Sequence, residues 1–379
     1  MAVLMLFPEV YSGTGGIQQF NREFIDAVRN SSFPARAVSL KDLKKDIPAG
    51  PAGKDEILQN SYCAISRFRI VWKIVFVLKT IFQALSFRPN IVVCGHIHLI
   101  GMCLFLNYFF GFKYIVIIHG IEVWKPLSFI QKKSIRNASL VCPVSRHSRI
   151  KITDATGIPE SKTEILFNTV DGEVYRPGPK KKELLEQYGL EGKKVLLTVA
   201  RVARTEKDKG FEVVLGAVQL LSSEFPELRY LIVGDGDYLA ELKRKTEDLG
   251  ILERVVFAGY VPDSELRNFY NLCDIFVMPS KKEGFGIVFL EALACGKPVI
   301  AGDRDGSRDP LMDGKLGQLV NPDDPEEVAD AIRNIIGETI DKSKVDTIFL
   351  RKEVMIHYGE IVFKKKIKTL LNRYVQNKQ

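Results

Sequence analysis

Two glutamates, Glu283 and Glu291, bracket the run Gly284-Phe285-Gly286-Ile287-Val288-Phe289-Leu290. The run follows an apolar stretch, Ile275 to Met278, turns through two glycines and enters a helical pattern. Gly296 and Pro298 are placed to close that helix, glycine at its C-cap and proline just beyond. A glycine turn feeding a helix N-terminus is an anion site, because the first amides have no intrahelical acceptor and the helix dipole favours negative charge there. The amides of Gly286, Ile287 and Val288 would meet a phosphate, and the two carboxylates would accept hydrogen bonds from hydroxyl-rich groups on either side of it. The spacing of the glutamates alone is weak, since such pairs arise by chance; the strand–turn–helix context gives it force. The structural alternative is a solvated Glu283 and an ordinary helix-face Glu291.

The elements that must hold this segment alternate along the whole chain. Val3–Phe7, Ala35–Val38, Ile91–Cys94, Tyr114–Ile118 and Leu140–Val144 read as strands in the first half, with helices over Ile17–Arg29 and Phe68–Leu85. In the second half Val195–Ala200, Tyr230–Gly234, Val255–Ala258, Ile275–Pro279 and Val299–Ala301 are strands. Helices are expected at about Phe211–Ser223, Tyr238–Leu249, Ser264–Leu272, Ile287–Cys295 and Pro325–Ile336. Unbroken runs of Val, Ile and Leu indicate strands covered on both faces, hence parallel sheets of an α/β, doubly wound type. The turn-rich stretch Asn168 to Pro179 marks a boundary. The expected division is residues 1–172 with a returning helix at about 360–379, and residues 173–359.

With 379 residues, 46% hydrophobic and 26% charged, the chain can build two cores. A formal charge of +8 and a pI near 9.0 favour anionic partners. The six cysteines form no C-x-x-C pair, which suits buried reduced thiols in a cytoplasmic protein. Met1 to Pro8 lacks a basic leader region and reads as a first strand. Lys73 and Lys79 interrupt the most apolar stretch and argue against a spanning helix there.

Further motifs then add up to a family. Glu283 to Glu291 resembles the E-x7-E motif of the group-1 retaining glycosyltransferases. Ser12-Gly13-Thr14-Gly15-Gly16-Ile17-Gln18 resembles their glycine loop. Ile118-His119-Gly120-Ile121-Glu122, Val144-Ser145, Asn168-Thr169-Val170-Asp171, Ala200-Arg201-Val202, Val233 to Asp237 and Ala258-Gly259-Tyr260-Val261 follow in the family order. The resemblance implies the GT-B fold, two Rossmann-like domains facing across a cleft, and transfer of a hexose from a nucleotide sugar with retained configuration. It implies that Arg201 and a downstream lysine neutralise the diphosphate. Glu291 would take the ribose hydroxyls, while Glu283 with Gly284, Phe285 and the neighbouring amides would take the sugar. Tyr260 and Val261 would border the base. Gly15 and Gly16 would let backbone approach the donor, and His119 would face the transferred sugar.

Two departures from the family pattern stand out. The stretch from Arg201 to Gly210 is longer than usual, so Lys207 and Lys209 compete; Lys209 is preferred because it directly precedes the glycine that opens the next helix. Gly306-Ser307-Arg308-Asp309 stands where the family often has G-G-x-x-E, which leaves sugar specificity open. His96, His98 and Glu122 are acceptor-side candidates. Neither a cofactor nor a metal is expected: Asp235-Gly236-Asp237 spells D-x-D, but as a strand-end turn. A dehydrogenase fingerprint fails at Gln18, where a glycine is wanted. The donor expected first is UDP-glucose, with GDP-mannose second, and the acceptor a glycan or lipid-linked glycan in polysaccharide or envelope synthesis. Nucleic acid is not an expected partner. A non-catalytic module that binds nucleotide sugar or membrane would explain the charge but not the ordered motifs. Arg67, Arg69, Lys73 and Lys79 among Trp72, Phe76 and Phe82 fit either a peripheral face on an anionic membrane or an ordinary helix packed on its sheet.

Overall fold

The computed structural model describes residues 2–31, 33–47, 57 and 62–376, the side chains of 375 and 376 excepted. The chain divides into two compact units, residues 1–169 with 360–379, and residues 170–359.

In the N-terminal unit, β1 (Val3–Phe7), β2 (Ala35–Ser39), β3 (Ile91–Cys94), β4 (Tyr114–Ile118) and β5 (Leu140–Pro143) form one sheet in the order β2-β1-β3-β4-β5. Every pairing is parallel, with Leu4 opposite Val92 and Val93 opposite Ile115. The crossovers contain α1 (Gly16–Arg29), α2 (Arg69–Phe87), α3 (Ile100–Phe110) and α4 (Phe129–Asn137); α5 (Arg146–Thr156) follows β5. The last helix of the chain, Glu360–Gln376, packs on α1, where the Phe20 and Phe363 rings meet edge to face at 5.6 Å.

The C-terminal unit opens with α6 (Lys182–Tyr188). Then come β6 (Lys194–Val199), α7 (Phe211–Leu220), β7 (Leu228–Val233), α8 (Leu239–Asp248), β8 (Val255–Gly259), α9 (Asp263–Leu272), β9 (Ile275–Met278) and α10 (Ile287–Ala294). After β10 (Val299–Gly302) the chain continues through β11 (Gln318–Val320), α11 (Pro325–Ile336) and α12 (Thr347–Tyr358). The strand order β11-β10-β9-β6-β7-β8, again all parallel, sets β9 between β10 and β6. The loops leaving these three strands therefore share one end of the sheet, where open α/β sheets bind ligands.

Among the described residues, five α-helices and a strand were not among the sequence expectations. The apolar run of α3 has no polar face to reveal a period, although it buries Ile100, Cys103 and Leu106. α4 is set by a capping box in which Ser128 and Gln131 each satisfy the other's backbone amide. α5, α6, α12 and the three-residue β11 carry weaker periodic signals. All six cysteines are buried thiols.

Gly234 shows how tightly two strand ends are joined. Its φ is +140°, and a Cβ there would lie 1.9 Å from the Ala200 carbonyl oxygen. Gly250 has φ +67° with nothing within 4 Å. Gly250→Ala is expected to cost about 1 kcal/mol of backbone strain, and Gly234→Ala about 3 kcal/mol or more because a collision adds to it. Urea unfolding measures both, and equal losses would contradict the close approach.

Candidate functional site

Most of the chemistry-bearing residues of the C-terminal unit lie on the loops after β6, β9 and β10. The loop after β9 begins at Pro279, and Gly286 (φ +89°) starts α10 with no side chain capping its amides. Phe285 is buried and stacks its edge on Tyr358 at 5.8 Å, so its side chain anchors the turn. Ile287 is buried and Val288 half-buried. The C-terminal end of α10 is closed by Gly296 (φ +70°), whose amide bonds to the Leu293 carbonyl.

Asp305, on the neighbouring loop after β10, was not singled out in the sequence. Its carboxylate is 2% exposed and accepts from the Glu283 amide (2.6 Å), the Ser280 hydroxyl (2.9 Å) and the Ser307 amide (2.9 Å). The amide of Gly306 donates back to the Glu283 carbonyl at 2.9 Å, and a Cβ on Gly306 would come within 2.2 Å of the Gly284 oxygen. The segment that departs from the family pattern thus grips the glutamate turn. Its one advance signal was Asp-Gly-Ser, a sequence that favours a side chain bonding to a backbone amide two residues on. Burial pushes the Asp305 carboxyl up to about 6, with the Ser307 bonds opposing.

Across from this, Lys209 Nζ pairs with Glu283 Oε2 at 2.5 Å, both side chains mostly buried. Burial works against the lysine's charge, but Glu283, followed by Glu206 and Asp305, outweighs it and holds Lys209 above its ordinary pKa. Lys207 points elsewhere, to Glu241 at 2.9 Å and over the Tyr238 ring at 4.2 Å. Arg204 also pairs with Glu241 (2.6 Å). Of the two competing lysines, Lys209 is the one at the glutamate turn.

Arg201 lies two residues past the end of β6, two-thirds exposed, with Nε 3.3 Å from Glu206. Its backbone neighbours are stitched to the β7 end: the Ala200 amide donates to Val233 O and the Val202 amide to Asp235 O. The D-x-D side chains serve this turn, Asp235 accepting from the Gly236 amide (2.7 Å) and Asp237 from the Arg204 amide (2.8 Å). Among the described residues no group of three or more His, Cys, Asp or Glu is placed to hold a metal.

Glu291 is deeply set, 3% exposed, with the Tyr270 hydroxyl donating at 2.6 Å and Tyr175 also bonded to it. Burial and then the carboxylate push both tyrosines above their ordinary pKa values. Neither tyrosine was anticipated as part of the site. Tyr260, after β8, is 61% exposed, while Val261 beside it is buried.

The N-terminal unit holds the remaining candidates. Gly15 (φ +133°) precedes α1, and Gly16 is its first residue. The loop before them is tied by the buried Asp42, whose carboxylate takes the amides of Val10, Tyr11 and Ser12 at 2.9–3.1 Å. Nothing in the local sequence marked Asp42. His119 directly follows β4; its Nε2 lies 2.9 Å from the Gly95 carbonyl, and Glu122 accepts from its backbone amide at 2.6 Å. Glu122, an acceptor-side candidate, therefore has a structural task. The His96 ring lies 5.8 Å from His119 and nearly parallel, and its Nδ1 accepts from the amide of the exposed His98.

A carbonyl only accepts, so His119 carries its proton on Nε2; the amide donor on Nδ1 likewise sets the His96 proton on Nε2. Burial, then His119, His98 and Lys41, lower His96 to about 3. Burial lowers His119 against the pull of Glu122. Long-range 1H–15N spectra at neutral pH should show both rings neutral and protonated at Nε2. A doubly protonated ring at either position would contradict the geometry.

Asp305 gives a second test. A raised carboxyl pKa means the folded chain keeps a proton that the unfolded chain has released, so ionisation costs stability as pH climbs from about 4 to about 6. Asp305→Asn removes this titration. The unfolding free energy of wild type minus that of the variant should fall by an amount on the order of 2–3 kcal/mol between about pH 4 and pH 7. A difference that rises with pH would refute the burial of this carboxyl.

Comparison with known proteins places these residues in context. Residues 180–347 match the family model described as "Glycosyl transferases group 1". A GDP-mannose-dependent alpha-(1-6)-phosphatidylinositol monomannoside mannosyltransferase of Mycolicibacterium smegmatis is 33% identical over 232 residues, 58% of this chain and 60% of that protein. The protein of the same name in Mycobacterium tuberculosis is 32% identical over 230 residues, 58% of this chain and 59% of the relative. The chain thus spans less than two-thirds of the length of these relatives. The crystal structure of Anabaena HepE in complex with UDP superposes with a TM-score of 0.81 at 20% identity, covering 98% of this chain and 100% of that one. That likeness shows the fold.

Proposed function

We infer that this chain, whose residues 180–347 carry the group 1 glycosyl transferase pattern, moves a hexose from a nucleoside diphosphate sugar to a hydroxyl of a lipid-borne glycan, with retained anomeric configuration. The observation that carries the reading is the glutamate turn itself. Glu283 is held by Asp305 on one side and paired with Lys209 on the other, directly before the uncapped N-terminus of α10.

In this reading the donor diphosphate lies at that helix terminus. Lys209 and the exposed Arg201 meet its charge, which grows as the bond from the anomeric carbon to the phosphate oxygen breaks and its electrons go to the diphosphate. The acceptor oxygen bonds to the same face of the anomeric carbon, and its proton passes to the departing phosphate oxygen. Glu283 accepts from sugar hydroxyls once the donor phosphates compete for Lys209. Glu291, oriented by Tyr175 and Tyr270, accepts from the ribose. The exposed Tyr260 borders the base. His96, His98 and His119 of the N-terminal unit are assigned to the sugar and acceptor, with Glu122 holding the His119 backbone amide, and no step calls for a metal.

GDP-mannose is the donor supported by the two mannosyltransferases at 32–33% identity. UDP-glucose, the first expectation from sequence, is the second choice, because the UDP-bound likeness at 20% identity speaks for the fold. The acceptor in the names of the two mannosyltransferases is phosphatidylinositol monomannoside, which supports an acceptor carried on a lipid.

Thermal shift and equilibrium dialysis with GDP, UDP, GDP-mannose and UDP-glucose, with and without EDTA, test the donor site. A selective, EDTA-insensitive shift with GDP and GDP-mannose is expected. Arg201→Ala and Lys209→Ala should each weaken binding by roughly ten- to a hundredfold, the usual effect of losing a charge-assisted contact. A shift confined to uridine nucleotides would move the donor to UDP-glucose. No shift at millimolar nucleotide would overturn the site.

A further inference from the structure

The surface of the N-terminal unit displays apolar side chains that its own core does not use. α2 buries Phe76, Thr80 and Ala84, one stripe at i, i+4 spacing, and packs against β1 and β2. On the opposite side Ile70, Ile74, Leu78 and Phe82 form a second i, i+4 stripe, each 54–66% exposed. A helix facing water should be polar there.

The apolar surface continues onto the neighbouring helix. α3 packs against α2 and ends in Tyr108, Phe109 and Phe110, which are 77%, 63% and 40% exposed. Their rings gather, with Phe105–Phe109 centroids at 4.7 Å and Tyr108–Phe109 at 5.1 Å. Exposed aromatic groups of this kind mark interaction surfaces.

The charge of the region selects the partner. Between Glu56 and Glu122 the sequence contains no acidic residue, but it contains Arg67, Arg69, Lys73, Lys79, Arg88 and Lys113. Lys79 is turned inward onto the Tyr62 carbonyl at 2.7 Å, whereas Arg67, Arg69, Lys73 and Arg88 are exposed. Two copies of such a face would set the like charges of Arg67, Arg69, Lys73 and Arg88 against each other. An anionic bilayer offers acyl chains to the stripe and phosphate to the basic groups. α2, 19 residues long, is by length and composition alone apolar enough to cross a membrane. Its Phe76–Thr80–Ala84 stripe is already committed to the sheet, so crossing would strip that core; lying in the interface plane leaves it intact.

We propose that α2 and the aromatic end of α3 seat the N-terminal unit on an anionic lipid bilayer, the Ile70–Phe82 stripe entering the acyl boundary and the exposed arginines and lysine meeting the headgroups. The inference stands on this surface alone and does not depend on the identity of the donor.

The test is co-sedimentation of the full chain with phosphatidylcholine vesicles, with and without phosphatidylglycerol, at about 0.15 M salt, where screening leaves only short-range charge attraction. Wild type should pellet with the anionic vesicles and much less with neutral ones, and a nitroxide-labelled lipid should quench the half-buried Trp72 of α2. The double variants Leu78→Asp/Phe82→Asp and Tyr108→Ser/Phe109→Ser should each lower partitioning by about tenfold or more. Their exposed sites should leave thermal midpoints unchanged. Wild type that ignores anionic vesicles would overturn the proposal. So would variants that bind as wild type does, or a dimer lost in the same variants without vesicle binding.

Discussion

The glutamate turn depends on a single buried carboxylate. Without Asp305 the amide of Glu283 and the hydroxyl of Ser280 would each lose an acceptor in a place that water barely reaches. A donor stranded in this way costs roughly 1–3 kcal/mol, enough to let a loop choose another conformation. Burying the carboxylate also has a cost, visible in its raised pKa, and three hydrogen bonds offset much of it. The N-terminal unit uses the same device: Asp42 gathers three successive amides and gives the glycine loop one shape before α1 begins.

Around these anchors the charges are divided according to exposure. Lys209 and Glu283 are mostly buried and paired, so each limits the desolvation cost of the other. Arg201 remains largely in water, with a partner at 3.3 Å that a stronger anion would displace at little cost. Arg204 and Lys207 are drawn off to Glu241, leaving the space near Glu283 to one lysine.

Much of the scaffold was legible because the signals are local. A run such as Val3 to Phe7 declares a strand covered on both faces, and Gly286 followed by an apolar helix declares an uncapped N-terminus. α3 escaped because a helix with apolar residues all round has no period to detect, and β11 because three residues carry too little pattern. Of the candidate site, the Glu283 turn was singled out from residue type and position, and Arg201 and His119 through the family resemblance. Asp42 and Asp305 were not, since a buried aspartate that accepts from another loop looks, in sequence, like any surface aspartate.

Sequence alone settled the alternation of strand and helix, the parallel character of the sheets and the glycine turn before α10, all consequences of backbone preference and hydrophobic period over a few residues. Tertiary structure decided which charges meet. Lys209 and Glu283 are 74 positions apart, and Asp305 lies 22 beyond the amide it accepts from. They come together because β9 is ordered between β6 and β10, which brings three loops to one edge. Strand order follows from how whole helices pack across a sheet, a balance spread over the entire core and carried by no short stretch of residues.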